Sequence, residues 1–433
     1  IDEEGNWDFC GTYVDIQDNM GACDGREAQS AIVAGTIMDW KGNTVEAVAV
    51  TASNANTIMT PANGQYAFDL PMNADYMVTP IKDVQPLNGV STFDLVLISK
   101  HILGITQFNN PHQYIAADVN QSGSITAFDM VQLRRLILNL DTQFTNNTSW
   151  KFVEAKYQFT TQNPAGEAFP TLSSVNNLAH DMEMDFTAVK IGDVNGNAKT
   201  NSLSTGVIRN TTATFSIETP NIDLVAGQQY TVNFTTSEMA DIEGYQFTLG
   251  TGNLQFEQLT NGITSVDNFG LHRLDKGYLT TSWNAVGSQQ SAVGSQQLFS
   301  IAFTATANGK LSEQLSLIQQ PTAVEAYNTA GELLDVQLNF SNTIDLTTSF
   351  ELYQNQPNPF VKATNISFFL PEQAEVVLTL RDEVGRLIKA IKAHKAAGLQ
   401  SFSVNSTDLP KGLIFYQISS PFGTQTKKML RVE

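Results

Sequence analysis

The sequence of 433 residues is poor in cysteine, histidine and basic side chains. It contains two cysteines and five histidines, and its 24 Lys and Arg residues are outnumbered by 43 Asp and Glu residues, which gives a formal net charge of −19. This acidic balance excludes nucleic-acid binding through a diffuse basic surface. The histidines are scattered, and no HExxH, GxSxG, P-loop or GxGxxG motif occurs in a strand-to-helix context. The sequence therefore predicts a protein that is not an enzyme.

Long apolar runs and a leader sequence are also missing. No run of about 18 apolar residues occurs, so we expect no helix that spans a bilayer. The sequence has neither an initiator Met nor a basic-then-apolar signal peptide, and we expect a fragment or a processed product. Whether Cys10 and Cys23 pair with each other or with upstream partners stays open.

What the sequence does contain is period-two alternation in short runs separated by Gly, Asn and Pro turns, which predicts a mostly β protein. Its length exceeds that of a single hydrophobic core, so we expect several β-sandwich domains in series with one small α-helical calcium-binding module. The predicted units are the end of an upstream Ig-like repeat (1–28), a small sandwich (29–82), the helical calcium module with an irregular extension (83–200), a linker (201–207), a larger sandwich (208–345) and a terminal sandwich (346–433).

Two segments of the helical module change to a helical period. FDLVLISKHILG (93–104) and FDMVQLRRLILNL (128–140) place apolar residues at i, i+3, i+4 and i+7. Each segment is entered through a loop that carries Asp residues. The pattern predicts two amphipathic helices, each preceded by a candidate cation loop.

The loop DVNQSGSITAFD, before the second helix, has the spacing of a calcium loop. Such a loop needs oxygen ligands at positions 1, 3, 5, 7 and 12 and a sharp turn at position 6. The sequence supplies ligands in Asp118, Asn120, Ser122, the carbonyl of Ser124 and Asp129, with Gly123 at the turn. The alternative is an Asx-turn that leads into a helix N-cap.

Two further segments carry partial versions of this pattern. The loop before the first helix offers Asp83, Gln85, the carbonyls of Leu87 and Gly89, and Asp94. Because position 5 is Leu87, this site has fewer charged ligands. A half loop with no helix after it contains Asp193, Asn195 and Asn197. It either completes a calcium site or is a simple turn.

These loops and helices resemble the repeats of a type I dockerin, with Asp rather than Glu at position 12. The resemblance implies calcium as cofactor and binding through the helices to a cohesin. Residues 208–345 resemble a cohesin in the order of the strands IEGYQFTL, TSWN and LFSIAFTA. The implied partner is a cohesin-like or dockerin-like domain, either of the same chain (in cis) or of another chain (in trans). Head-to-tail contacts in trans that do not close would build a filament or another homo-oligomer.

Two outer segments resemble other families. Residues 29–82 resemble carboxypeptidase-regulatory-like or collagen-adhesin B spacers in Gly35, Gly64, Tyr66, Phe68, Leu70, Pro71 and Tyr76. Residues 346–433 resemble the sorting domain of the type IX (Por) secretion system of Bacteroidetes-type bacteria. The matching segments are 355–360 (NQPNPF), Asp382 with Gly385 and Arg386, 409–412 (LPKG), and 427–429 (KKM). The second resemblance implies the type IX translocon as a partner and a secreted or cell-surface location.

The predicted function is that of a non-enzymatic, secreted, cell-surface structural or adhesive protein, a stalk or a filament subunit. The alternative is the scaffold region of a larger secreted enzyme or glycan-binding protein whose active domain lies upstream. Trp150 and Trp283 are candidates for a sugar-binding platform, but aromatic residues in strands are more often part of a core.

Overall fold

The computed structural model describes residues 30–164, 166–202, 213–285, 296–341, 350–355, 357–396 and 398–432. Within these ranges the chain is mostly β, with three sandwiches and one group of helices, which confirms the predicted fold class. Cys10, Cys23, the predicted Ig-like end and residues 203–207 of the predicted linker lie outside the described residues. No helix in the described part of the chain is long and apolar enough to cross a membrane.

The first sandwich and the helices share the N-terminal half. Their elements are β1 (Ser30–Asp39), β2 (Ala49–Ala52), β3 (Ile58–Met59), β4 (Gln65–Pro71), β5 (Tyr76–Ile81), α1 (Thr92–Ile102), α2 (Pro111–Ala117), α3 (Ala127–Ile137), β6 (Trp150–Glu154), β7 (Ser173–Val175), β8 (Met182–Glu183) and β9 (Phe186–Lys190). One sheet has the order β4-β1-β9-β6, with β8 beside β1, and the other has the order β3-β2-β5-β7. The helices are therefore inserted between strands of one sandwich.

Residues 150–190 complete this sandwich, where the sequence predicts an irregular extension of the helical module. Strand β9 runs parallel to β1 with Ile37 opposite Phe186, and β6 pairs with β9. Trp150 and Phe186 are buried in the same core as Ile37. The difference has a physical reason. These strands are at most five residues long, and their partners in β1 and β5 lie far away in the sequence, so local periodicity gives little signal.

The helices begin at strong caps and pack against strands β6 and β9 of that sandwich. Ser91 and Thr126 are the N-caps of α1 and α3, and each forms a capping box with an Asp three residues later. The apolar faces of the helices share a core with Val153 of β6 and Val189 of β9. The first sandwich thus fixes the position of the helical module.

The second sandwich has long strands at its centre and short ones at its rim. They are β10 (Thr214–Pro220), β11 (Asp223–Leu224), β12 (Gln229–Thr236), β13 (Ile242–Gly250), β14 (Leu254–Asn261), β15 (Phe269–Gly270), β16 (Tyr278–Asn284), β17 (Gln296–Ala305), β18 (Gly309–Lys310), β19 (Ser316–Ile318), β20 (Glu325–Asn328) and β21 (Leu333–Ser341), with 3₁₀ turns at Met239–Asp241, Val266–Asn268, Leu274–Lys276 and Leu311–Glu313. The main path is β14-β17-β12-β10-β21-β20-β13-β16-β15.

Strand β21 joins the two layers of this sandwich, because it pairs with β10 in one and with β20 in the other. Their aromatic side chains meet in the core. Phe215 of β10 lies 5.4 Å from Tyr245 of β13, between ring centroids, and Phe269 of β15 packs edge-on against Phe299 of β17. Trp283 stacks on Tyr245 and belongs to this core, as expected for an aromatic strand residue.

The third sandwich contains β22 (Glu351–Leu352), β23 (Ala363–Leu370), β24 (Ala374–Asp382), β25 (Leu387–Lys395), β26 (Gly398–Asn405), β27 (Gly412–Ser420) and β28 (Gly423–Arg431), with a 3₁₀ turn at Ser406–Asp408. Its sheets are β22-β23-β26 and β25-β24-β27-β28. Two residues of the NQPNPF segment are integral to it. Asn355 is 1% exposed and donates through its amide to Thr364, and Phe360 lies in the core.

Candidate metal loops and the helix-to-sandwich contact

The loop between α2 and α3 brings the predicted ligands Asp118 to Asp129 together. Asp118 accepts hydrogen bonds at Oδ1 from Ser122 N (2.8 Å) and at Oδ2 from Gly123 N (2.8 Å). Gly123 has a φ of +79°, as the turn position requires. The Ser122 hydroxyl lies 3.1 Å from the Ser124 carbonyl oxygen. The local sequence thus winds the loop around one centre.

Asp129 closes the loop from the first turn of α3. Its side chain has no exposed surface, and it accepts hydrogen bonds from Asn120 N (3.1 Å) and Thr126 N (2.8 Å). Burial raises the pKa of Asp118, and the negative charge of Asp129 adds to the rise. Two carboxylates with amide, hydroxyl and carbonyl oxygens suit a hard cation such as calcium. No group of three or more His, Cys, Asp or Glu side chains in the described ranges is placed to hold a metal, so neutral oxygens would have to complete the ligand set.

The segment before α1 does not wind in this way. Asp83 accepts a hydrogen bond from Ser149 N (2.7 Å), which precedes β6, and Leu87 packs against the helical core. Gln85 has a φ of +52°. Asp94 has no exposed surface and accepts from Ser91 N (2.9 Å) and from Val194 N (2.9 Å). Hydrogen bonding therefore directs the two ends of this predicted loop to different partners.

The half loop after β9 lies against Asp94. Asp193 is 1% exposed and accepts from Gly196 N (2.7 Å), Asn197 N (3.1 Å) and Ala198 N (2.8 Å). Burial raises the pKa of Asp94 well above its usual range, and the charge of Asp193 raises it further. Burial also lowers the pKa of the nearby Lys190 ammonium to about 7, although the charges of Asp193, Asp94 and Asp83 oppose that effect.

The N-terminus of α1 contacts the second sandwich through polar side chains. Thr92 N donates to Gln246 Oε1 at 2.7 Å, and the Thr92 hydroxyl lies 2.7 Å from the Ser282 hydroxyl. The Phe93 ring stacks on the Tyr327 ring with centroids 4.8 Å apart. This contact joins the helical module to β13, β16 and β20 of the same chain.

The C-terminal end of α3 meets the same sandwich. Arg134 donates to Asn284 Oδ1, the Thr280 hydroxyl donates to the Leu138 carbonyl (2.7 Å), and the Thr322 hydroxyl donates to the Ile137 carbonyl. The last carbonyls of a helix have no partner within the helix. Here threonines of the sandwich act as partners for two such carbonyls.

Sequence reasoning did not identify these contact residues. A weak signal was present: Gln246 is a polar residue among the apolar residues of IEGYQFTLG, a strand that the structure buries at nearly every position. A strand that is buried on both faces needs partners for its polar side chains, here a helix terminus. No resemblance of the separate segments could show that the two modules touch.

One ion pair at the contact gives a measurable prediction. Lys100 Nζ lies 2.7 Å from Glu243 Oε2, and both side chains are partly exposed. We expect a coupling free energy of about 0.5–1 kcal/mol, because solvent still screens the pair. Hydrogen exchange of the α1 amides in Lys100→Met, Glu243→Gln and the double variant measures this term through the local opening free energy. Strictly additive single effects would contradict the pair.

Comparison with known proteins supports part of this picture. Residues 83–138 match the sequence profile of the type I dockerin domain, which confirms the predicted resemblance for that segment. The matched segment lies wholly between β5 and β6 and does not include residues 193–198. None of the curated proteins matches the chain significantly.

Three solved structures illustrate the more distant likenesses. The chain is similar to the seventh ScaB type I cohesin of Pseudobacteroides cellulosolvens at 14% identity, over 30% of this chain and 88% of that one, with a TM-score of 0.23. It is similar to the type II cohesin dyad of the ScaA scaffoldin of Acetivibrio cellulolyticus at 12% identity, over 51% of this chain and 78% of that one, with a TM-score of 0.21. It is similar to the major pilin subunit BcpA of Bacillus cereus at 8% identity, over 93% of this chain and 96% of that one, with a TM-score of 0.19.

Proposed function

We propose that this chain is a non-enzymatic surface protein of structural or adhesive type, in which a dockerin-type module is docked onto a cohesin-like sandwich of the same chain. The observation that carries the proposal is the contact of α1 and α3 with β13, β16 and β20. Thr92 and Arg134 from the two helices both find partners there. The protein-binding faces of both modules are then used within one molecule.

Docking in cis gives the chain a rigid joint. The helices are held by the first sandwich through Val153 and Val189, and by the second through Thr92 and Phe93. A load on one sandwich is therefore transmitted to the other through packed side chains. This is the property that a stalk needs. If the same faces met in trans, the contact would be heterologous and would build a filament.

Calcium is the proposed structural ion of the module. Asp118, Asn120, Ser122, the Ser124 carbonyl and Asp129 would hold it in the loop before α3. When bound, the ion supplies positive charge to two partly or fully buried carboxylates and so couples its binding to folding. Asp129 also forms the capping box of α3 with Thr126, so the last residue of the loop helps to fix where that helix begins.

The proposed location is the outer cell surface of a Bacteroidetes-type bacterium, reached through the type IX translocon. The support is the resemblance of the third sandwich to a sorting domain. The proposal is consistent with the buried positions of Asn355 and Phe360, since a signal that is part of a core is presented only by the folded domain.

Cutting the chain between its two halves tests the docking. A site for a specific protease is introduced within residues 203–212, and the cut protein is run on size-exclusion chromatography with calcium. We expect both pieces to elute together, because the helix contact holds them. Pieces that elute separately in calcium would contradict docking in cis. A mass that rises with concentration before cutting would indicate docking in trans.

A further inference from the structure

The entrances to α1 and α3 share one hydrogen-bond scheme. At α3, Asp129 accepts from Thr126 N and from Asn120 N of the preceding loop. At α1, Asp94 accepts from Ser91 N in the same way, but its second donor is Val194 N. The donor that corresponds to Asn120 N is therefore Val194 N, which belongs to the segment after β9 and not to the loop before α1.

The half loop 193–198 is wound like the first half of the loop 118–129. The Asp193 carboxylate accepts from the amides three to five residues ahead, and the Asp118 carboxylate accepts from those four and five residues ahead. The amides of Val194 and Asn195 then point to Asp94. In this register Asp193, Asn195 and Asn197 take positions 1, 3 and 5, and Asp94 takes position 12.

A second pair of contacts joins the half loop to the segment before α1. A Cβ on Gly89 would lie 2.6 Å from Ala198 Cα, so only glycine permits this approach. Beside it, Asn88 Nδ2 donates to the Lys199 carbonyl (2.8 Å) and Lys199 N donates to Asn88 Oδ1 (2.9 Å). The two chain segments therefore meet where a continuous loop would pass through its turn.

One polar atom at this junction has no protein partner. Asn195 Oδ1 is buried and accepts no hydrogen bond from the described residues. An orphaned buried acceptor destabilises the folded state, because it has lost its hydrogen bonds to water. The carboxylates of Asp94 and Asp193 are buried at 0% and 1% exposure, and no ion pair within 4.0 Å joins Lys190 to either of them in the described part of the chain. Two buried acidic side chains and an unpaired buried oxygen thus meet at this junction.

We propose that Asp94, Asp193 and Asn195 bind a calcium ion in a composite site whose halves come from distant parts of the sequence. The proposal deepens the proposed role of calcium and rests on it. Asn197 is exposed, so its position leaves room for water as a further ligand. The site lies at the N-terminus of α1, where Asp94 directly follows Thr92 and Phe93, the residues that contact the second sandwich.

Calcium titration of the full chain by calorimetry tests the proposal with two matched variants. Asp193→Asn and Asp83→Asn each remove one negative charge near Lys190. We expect two tight sites in the wild type, two in Asp83→Asn, and one in Asp193→Asn, with an affinity loss of at least about tenfold at the composite site. One site in Asp83→Asn with two in Asp193→Asn would assign the ion to the continuous loop 83–94 and overturn the proposal. A single site in the wild type that only Asp118→Asn removes would also overturn it.

Asn195→Ala provides a second readout that does not depend on counting sites. Without calcium this variant should melt no lower than the wild type, because it removes an unpaired buried oxygen. With calcium it should gain less in Tm than the wild type does. An equal gain in both proteins would contradict a ligand role for Asn195. The cut-chain assay tests the docking separately. If the two halves elute separately while Asp193→Asn still binds one calcium ion fewer than the wild type, the docking is refuted and the composite site is not.

Discussion

Replacing Gly244 by leucine is expected to separate the two halves of the cut chain that co-elute in the wild type. A Cβ at Gly244 would lie 3.1 Å from the Cγ2 atoms of Thr92 and Val96 on α1. Leucine adds three more carbon atoms beyond that Cβ. Overpacking of a well-packed contact costs about 1–3 kcal/mol, occasionally more. The helix cannot move away without losing its contacts to Gln246 and Ser282. Size-exclusion chromatography after cutting shows the result directly.

The control for this substitution is Gln255→Leu, which introduces the same side chain at an exposed position of β14. In the strand order, β14 is the strand farthest from β13, which contains Gly244. Gly244→Ala serves as a graded variant, because a single methyl requires its neighbours to shift by only a few tenths of an ångström. Co-elution should persist in the control and weaken in the graded variant. If Gly244→Leu still co-elutes as the wild type does, α1 is not what holds the halves together.

The second large effect is expected at Asp129. Alanine at this position removes the acceptor of Asn120 N and Thr126 N and one ligand of the calcium loop. Loss of the Asp129 half of the capping box, with two amides left unpaired, should destabilise α3 by about 2–4 kcal/mol. Hydrogen exchange of the α3 amides with calcium and with chelator measures the change. The wild type should lose protection on chelation, whereas Asp129→Ala should be unprotected in both conditions.

Asp129→Asn separates the cap from the ion. Asparagine keeps an acceptor oxygen for the helix N-terminus but removes the negative charge that calcium requires. The expected result is a helix whose protection in chelator is close to that of the wild type and which gains little on adding calcium. A full calcium response in Asp129→Asn would show that the ion is not bound in this loop.

Local sequence determined much of this structure. The capping boxes at Ser91 and Thr126, the helical period that follows, and the loop 118–129 were predictable because every interaction involved spans only a few residues. Period-two alternation likewise predicted strands in all three sandwiches. Asn355 and Phe360, singled out by a family resemblance, proved to be buried parts of the third sandwich, although the export role itself stays a proposal.

Only the tertiary structure decided which segments meet. Strands β6 and β9 complete a sheet begun at β1, and Gln246 and Ser282 face a helix far away in the sequence. Asp193 lies beside Asp94 rather than in a loop of its own. Period and composition record which face of an element is buried, but not what buries it. That choice depends on packing and hydrogen bonding between distant segments, which become neighbours only when the chain folds.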